Sequence, residues 1–310
     1  VPRLCGDRQD PLAGRLLPER YRLETVAGSR RLVSATIGLA LGGGGARGLA
    51  HIAVLEAFDE AGVKPAMIVG TSIGALIGAA YASGMPASDI RRYCGSAFGR
   101  RSAIIRHVYS RWRGRIWDIS GPWAPALFRS ERIFELVLPP HLPKTFEGLK
   151  IPFMSVATDF FTYGEYVSSA GALLPALAAS AALPALLTPV KLDGRILIDG
   201  GFVNPLPFDL VTGADFVMAV DVSGGTAGPE GELPRPVETL LGAQQIALRS
   251  IINAKLKLNQ PDCLLRPEVG HFATLDFRRM DEILSASSQA KEQAADALAR
   301  LGEKSNSARL

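Results

Sequence analysis

Between Lys64 and Asp89 the chain carries no charged side chain, and this stretch, PAMIVGTSIGALIGAAYASGMPAS, constrains the fold more than any other. It is long enough for a transmembrane helix, which needs about 20 apolar residues. Its internal order argues for something else. Met67-Ile68-Val69 is a β-type run, Gly70 and Gly74 flank Ser72, and an apolar helical pattern follows through Leu76, Ile77, Ala80 and Tyr81. Ser83-Gly84-Met85-Pro86 then ends it. The pattern predicts a buried strand, a tight turn and a buried helix, the unit from which a sheet covered on both faces is built. A second uncharged run, Val167 to Val190, contains Pro175, Pro184 and Pro189, which argues against one continuous helix.

The rest of the chain extends this reading. Strands are predicted at Thr36–Leu41, Ala66–Val69, Pro152–Ala157, Arg195–Ile198 and Asp215–Val220. Helices are expected after Gly48, after Ser72, near Ser130–Leu138 and near Pro236–Leu258, with a last amphipathic helix from about Asp281 to Leu301. Such alternation predicts an α/β protein whose mostly parallel central sheet lies between helices. Its 310 residues suffice for one large domain. Three parts are expected: a basic N-terminal extension (1–35), a catalytic domain (36–223), and a loop and helical C-terminal part (224–310) packed on it. Pro and Gly between Gly224 and Pro236 mark the joint as a surface loop.

Three pieces carry chemistry. Gly70-Thr71-Ser72-Ile73-Gly74 is a G-x-S-x-G, which fits a strand-to-helix turn that exposes a serine hydroxyl above a helix N-terminus. A glycine-flanked serine in any such turn is the plain alternative. Gly42-Gly43-Gly44-Gly45-Ala46-Arg47-Gly48 follows the first strand, and successive glycines let several backbone N–H groups converge on one anion. That anion is either a pyrophosphate, since Gly43-x-Gly45-x-x-Gly48 fits the dinucleotide pattern, or the oxyanion of acyl transfer. The dinucleotide reading wants a carboxylate at the end of the second strand, where Gly70-Thr71-Ser72 stands instead. The third piece is Ile196-Leu197-Ile198-Asp199-Gly200-Gly201, a strand ending in a carboxylate, which alone would signify only a turn. An activated serine needs a base. His51, early in the helix after the glycine loop, reads as a packing or capping residue, and His107, His141 and His271 lack strand-end context. A Ser–Asp pair needs no missing residue.

GGGGARGLAHIAVL, GTSIG and DGG, in this order and spacing, resemble the patatin-like phospholipases, especially the bacterial members. The resemblance runs from about Thr36 to Ser223. It takes in Pro152–Asp159 as the central strand, Ala179-Ser180-Ala181-Ala182-Leu183-Pro184 as an Ala-Ser-x-x-x-Pro segment, and Val203-Asn204-Pro205-Leu206-Pro207 after the Asp. It implies a three-layer α/β/α fold and a phospholipase A or lysophospholipase activity, with Ser72 as nucleophile and Asp199 as general base. It further implies that Gly43, Gly44, Gly45 and Gly48 form the oxyanion loop, that Arg47 braces it, that Gly70 and Gly74 shape the elbow, and that Gly200 and Gly201 complete the DGG motif. Ala53 and Ala185 stand where bacterial members often have Gly.

That chemistry requires no metal and no cofactor, and the scattered histidines and three distant cysteines form no metal-ligand spacing. Few cysteines and no secretory signal in the residues given point to a cytoplasmic protein with peripheral membrane contact. From Ile90 to Trp117 there is no acid but there are eight arginines, and Trp112, Trp117 and Trp123 lie in or just after this stretch. Such a run suits an anionic lipid surface, or a solvated basic segment with its rings in the core. With no recognition motif, a net charge of +4 does not suggest nucleic acid. The expected substrate is a phospholipid or lysophospholipid. Two other readings stay open: a dinucleotide-binding protein using the glycine loop, and a catalytically quiet lipid-binding relative of the family.

Overall fold

A computed structural model describes residues 35–98, 129–184, 186–224, 233 and 236–307. The N-terminal basic extension, the arginine- and tryptophan-rich stretch beyond residue 98, Ala185 and most of the 224–236 loop lie outside these residues. Among the described residues eight strands form one sheet: β1 (Ile37–Leu41), β2 (Met67–Thr71), β3 (Phe153–Asp159), β4 (Glu165–Ser168), β5 (Val190–Leu192), β6 (Arg195–Asp199), β7 (Phe216–Val220) and β8 (Cys263–Leu265). Their order is β5-β6-β3-β2-β1-β7-β8, with β4 paired to β3 off this path. From β3 to β8 the sheet is parallel. Both β4 and β6 run antiparallel to β3, and β5 runs antiparallel to β6.

The described helices are α1 (His51–Glu60), α2 (Ile73–Ala82), α3 (Ala87–Phe98), α4 (Ser130–Val137), α5 (Leu173–Ser180), α6 (Pro236–Leu258), α7 (Met280–Ser285) and α8 (Ser288–Ser307). Every residue of β1 and β2 is buried, as strands covered on both faces must be. Alternate side chains divide between two cores. Ile37, Leu39, Leu41 and Ile68 join α1, α2, α3 and α8 on one face. Ala40, Met67 and Val69 join Leu206, Phe208, Val211 and Ile252 of α6 on the other. Each buried Leu or Ile contributes about 1.5–3 kcal/mol, so the β1–β2 pair anchors both layers.

The uncharged stretch 65–88 is β2, a turn and α2, and no described helix is long and apolar enough to cross a membrane. The Val167–Val190 run takes in the end of β4, all of α5 and the first residue of β5. Pro175 sits in the first turn of α5, where its missing N–H costs nothing. The C-terminal part differs from its expected form in two ways. Cys263–Leu265 pairs in parallel with β7, so the sheet continues into a region read as loop and helix. The last helix is also two: Ser287 Oγ donates to the Ile283 carbonyl (2.7 Å) at the break between α7 and α8. α8 packs on α1 through buried Ala290, Ala294 and Leu298, and Lys291 pairs with Glu60 (2.6 Å) and Glu56 (3.4 Å).

Candidate active site

Two strands running toward each other along β3 build the site. β2 is parallel to β3 and ends at Thr71, opposite Val156. β6 is antiparallel and ends at Asp199, opposite Ala157. The residues at the two ends therefore meet, and Ser72 Oγ donates to Asp199 Oδ2 at 2.7 Å across 127 positions of sequence. Ser72 has φ 55° and ψ −124°, a conformation a side chain rarely adopts and one that costs on the order of 1–3 kcal/mol. Surrounding contacts impose it. Ser72 N–H donates to Ser180 Oγ (2.9 Å), and Thr71 Oγ1 donates to the Asn204 carbonyl (2.7 Å). At Gly74 a β-carbon would lie 2.2 Å from the Leu41 carbonyl oxygen, and at Gly70 one would lie 2.6 Å from Ala75 Cα. Only glycine lets the elbow sit this close to β1.

Asp199 is 4% exposed. Its Oδ1 accepts the Gly201 N–H (2.8 Å), its carbonyl accepts from Thr158 Oγ1 (2.8 Å), and its own N–H donates to the Ala182 carbonyl (3.1 Å). Gly200 allows the strand end to lie against β3, since a β-carbon there would stand 2.2 Å from the Val156 oxygen. Burial pushes the Asp199 carboxyl up to about 6, while hydrogen bonds from Ser72 and Gly201 oppose the rise. With that value the carboxyl is mostly ionised at neutral pH.

The glycine loop runs beside the elbow and turns into a 3-10 segment, Gly45–Ala50. Gly43 lies against Ser72, and a β-carbon on it would be 3.3 Å from Ser72 Cβ. Its N–H is already engaged, donating to the Pro205 carbonyl (2.9 Å), as Gly42 N–H donates to Val220 (3.1 Å) and Ala46 N–H to Thr274 (2.8 Å). Among the described residues, no acceptor takes the N–H groups of Gly44 and Gly45. Of the loop amides singled out by the sequence, that of Gly43 is therefore already engaged within the protein. Gly48 is a spacer, pressed on Ile73 so that a β-carbon would come within 2.1 Å. Arg47 is 1% exposed and donates from Nε to the Gly44 carbonyl (3.2 Å) and from Nη1 to the Phe272 carbonyl (3.2 Å). Burial lowers its pKa to about 10, with Asp276 and Asp221 favouring the charge.

His51 is fully buried, and its Nε2–H donates to the Gly42 carbonyl (2.8 Å). Burial takes its pKa down to about 4, so the ring is neutral and supports the loop from below. The dinucleotide reading finds no support: β2 ends in Thr71, and the glycine loop lies against a serine. Sequence reasoning assigned no role to Ser180, Thr158, Asn204, Pro205, Phe272 or Thr274. Ser180, Thr158, Asn204 and Pro205 had a signal in the segments that carry the family resemblance, whereas Phe272 and Thr274 had none.

By fold and site this is a three-layer α/β protein with a serine–carboxylate pair at the centre of its sheet. The chain belongs to the patatin-like phospholipase family, whose family model matches residues 39–212. It is 37% identical over 198 residues to an uncharacterized NTE family protein of Mycobacterium tuberculosis, covering 63% of this chain and 51% of that one. It is 30% identical over 286 residues to human patatin-like phospholipase domain-containing protein 6 (82% of this chain, 20% of the other). Lysophospholipase NTE1 of Coccidioides immitis is 32% identical over 303 residues (89% and 18%). The chain thus spans about half the length of the mycobacterial relative and about a fifth of the other two. Among solved structures, VipD from Legionella pneumophila aligns with a TM-score of 0.46 at 15% identity, over 86% of this chain and 67% of that one. Human GIVD cytosolic phospholipase A2 aligns at 0.44 and 12%, over 88% and 60%.

Proposed function

We propose that this chain is a serine acyl hydrolase that cleaves fatty-acyl esters of phospholipids or lysophospholipids. The observation that carries the reading is the 2.7 Å bond from Ser72 Oγ to Asp199, on a strained elbow with Gly43 against it and the amides of the next two loop residues, Gly44 and Gly45, unengaged. Asp199 takes the hydroxyl proton as Ser72 Oγ bonds to the ester carbonyl carbon. The Gly44 and Gly45 N–H groups receive the oxyanion, and the loss of one such donor typically costs about 2.7–4 kcal/mol. Collapse expels the lipid alcohol, which takes the proton from Asp199 and leaves an acyl-serine. Water then gives a proton to Asp199 and attacks the acyl carbon. The fatty acid departs as that proton returns to Ser72. Contact with a lipid surface belongs to the same reading. At the sheet end where Ser72 lies, the turn after β3 exposes Phe161 (71%) and Tyr163 (85%), side chains that suit a membrane interface.

A fluorophosphonate probe, with peptide mass spectrometry and fatty-acid release from phospholipid and lysophospholipid vesicles, tests the proposal. Labelling confined to Ser72, with turnover lost in Ser72→Ala and Asp199→Asn, is expected. A folded wild-type chain that neither labels nor turns over, with or without anionic vesicles, would overturn it.

A further inference from the structure

The loop offering the Gly44 and Gly45 amides is held by residues far from it in sequence. A strap after β8, Phe272 to Asp276, lies directly against it. The Ala46 N–H donates to the Thr274 carbonyl (2.8 Å), and a β-carbon at Gly45 would stand 2.3 Å from that same oxygen. Arg47 spans loop and strap, donating from Nε to Gly44 O (3.2 Å), from Nη1 to Phe272 O (3.2 Å) and from Nη2 to Thr274 Oγ1 (3.4 Å).

Peptide planarity turns these bonds into control of the oxyanion donors. The Gly44 carbonyl and the Gly45 N–H belong to one trans peptide, so they point in opposite directions. Holding the carbonyl on Arg47 aims the N–H. The next peptide joins the Gly45 carbonyl to the Ala46 N–H, and Thr274 holds that one. Both peptide planes flanking Gly45 are therefore pinned by the strap, directly or through Arg47. Gly45 has φ 62°, and glycine crosses between backbone wells with little penalty, so the loop itself offers weak resistance to a peptide flip. The strap has its own brace. Asp276 Oδ2 accepts the Ala273 N–H (2.8 Å), and the Arg279 guanidinium lies 4.5 Å from the centre of the buried Phe272 ring.

We propose that the Phe272–Asp276 strap is a positioning element of the oxyanion hole, acting through Thr274 and Arg47 to fix the direction of the Gly45 N–H. The strap lies beyond residue 212, where the family match ends. The inference rests on the hydrolase reading for its chemical consequence.

Thr274→Val, Thr274→Ser and Asp276→Ala, each in the full chain, test it. Four quantities are read: kcat, KM, melting temperature and amide hydrogen exchange in peptides covering residues 42–50. Thr274→Val and Asp276→Ala are expected to lower kcat about tenfold, short of the 10²–10³-fold cost of losing a whole donor. KM should stay within about twofold. Exchange in 42–50 should quicken, and Thr274→Ser, which keeps the hydroxyl, should restore both. Unchanged kcat and unchanged exchange in Asp276→Ala would overturn the proposal. So would a loss of kcat that merely tracks the melting temperature, or one that Thr274→Ser fails to restore. A wild type inert to probe and ester would sink the hydrolase reading, and the exchange data would then decide whether the strap holds the loop.

Discussion

Asp199 and Asp159 are two buried carboxylates at strand ends on the same β3–β6 pairing, 4% and 3% exposed, and the chain treats them in opposite ways. Asp159 faces Arg195 Nη1 at 2.6 Å and accepts the N–H groups of Phe161 (3.1 Å) and Thr162 (3.3 Å). The guanidinium first, then the amides, hold its carboxyl below the usual range. Asp199 receives one hydroxyl and one amide, has no cation paired to it among the described residues, and is pushed up to about 6. Burial is the leading influence on Asp199 and the guanidinium of Arg195 the leading one on Asp159, so the two carboxyls are driven in opposite directions.

Substitutions can break this contrast. Ser72→Ala and Asp199→Asn should each lower turnover on vesicles by about 10³-fold or more, read as fatty acid released. Asp199→Asn should also raise the stability of the protein. Moving a carboxyl from 3.8 to about 6 corresponds to about 3 kcal/mol against folding once it is ionised. That penalty appears as pH rises through the unfolded value and is complete above about 6. The gain from Asn, measured by urea unfolding, should therefore be largest above pH 6 and vanish below about 4. Asp159→Asn should behave in reverse, leaving kcat within a few-fold and lowering the melting temperature. Its carboxyl is depressed, so the loss should be full at neutral pH and disappear in acid as the wild-type group is protonated. In wild type, kcat/KM should fall about tenfold per pH unit below about 6 as Asp199 takes up its proton, a profile a stopped pH series on a soluble ester would trace. The smallest effect sharpens the picture: Thr158→Val removes the hydroxyl that donates to the Asp199 carbonyl and should cost only a few-fold in kcat.

The residues at the centre of this contrast were legible to different degrees. Ser72 and Asp199 stand out because each lies at the end of an apolar run beside glycines, but they are read as a pair only from the three motifs taken together and the family resemblance these carry. The parallel core was legible because runs such as Ile37–Leu41 are apolar throughout. α3 was missed because its start depends on a distant side chain: Asp59 Oδ2 accepts the Ala87 N–H (2.7 Å). β4, β5 and β8 are three or four residues long, too short for periodicity to register. The partners of the site escaped because Ser180, Asn204 and Thr274 reach it across 108, 133 and 227 positions. Asp159 and Asp199 look alike in sequence. Arg195, which separates their roles, lies nearer Asp199 along the chain yet pairs with Asp159.

The head-to-head meeting of β2 and β6 makes the Ser72–Asp199 spacing a property of strand register, not of either turn. A one-residue slip of β6 along β3 would carry the carboxylate about 3.3 Å and turn it to the opposite face of the sheet. A nascent or partly unfolded chain can hold its helices and its glycine loop and still lack the pair, because contacts spanning so much sequence form late. On the proposed hydrolase reading, Ser72 gains its carboxylate partner only when the antiparallel wing has docked in register, so an incompletely folded copy would be silent toward esters.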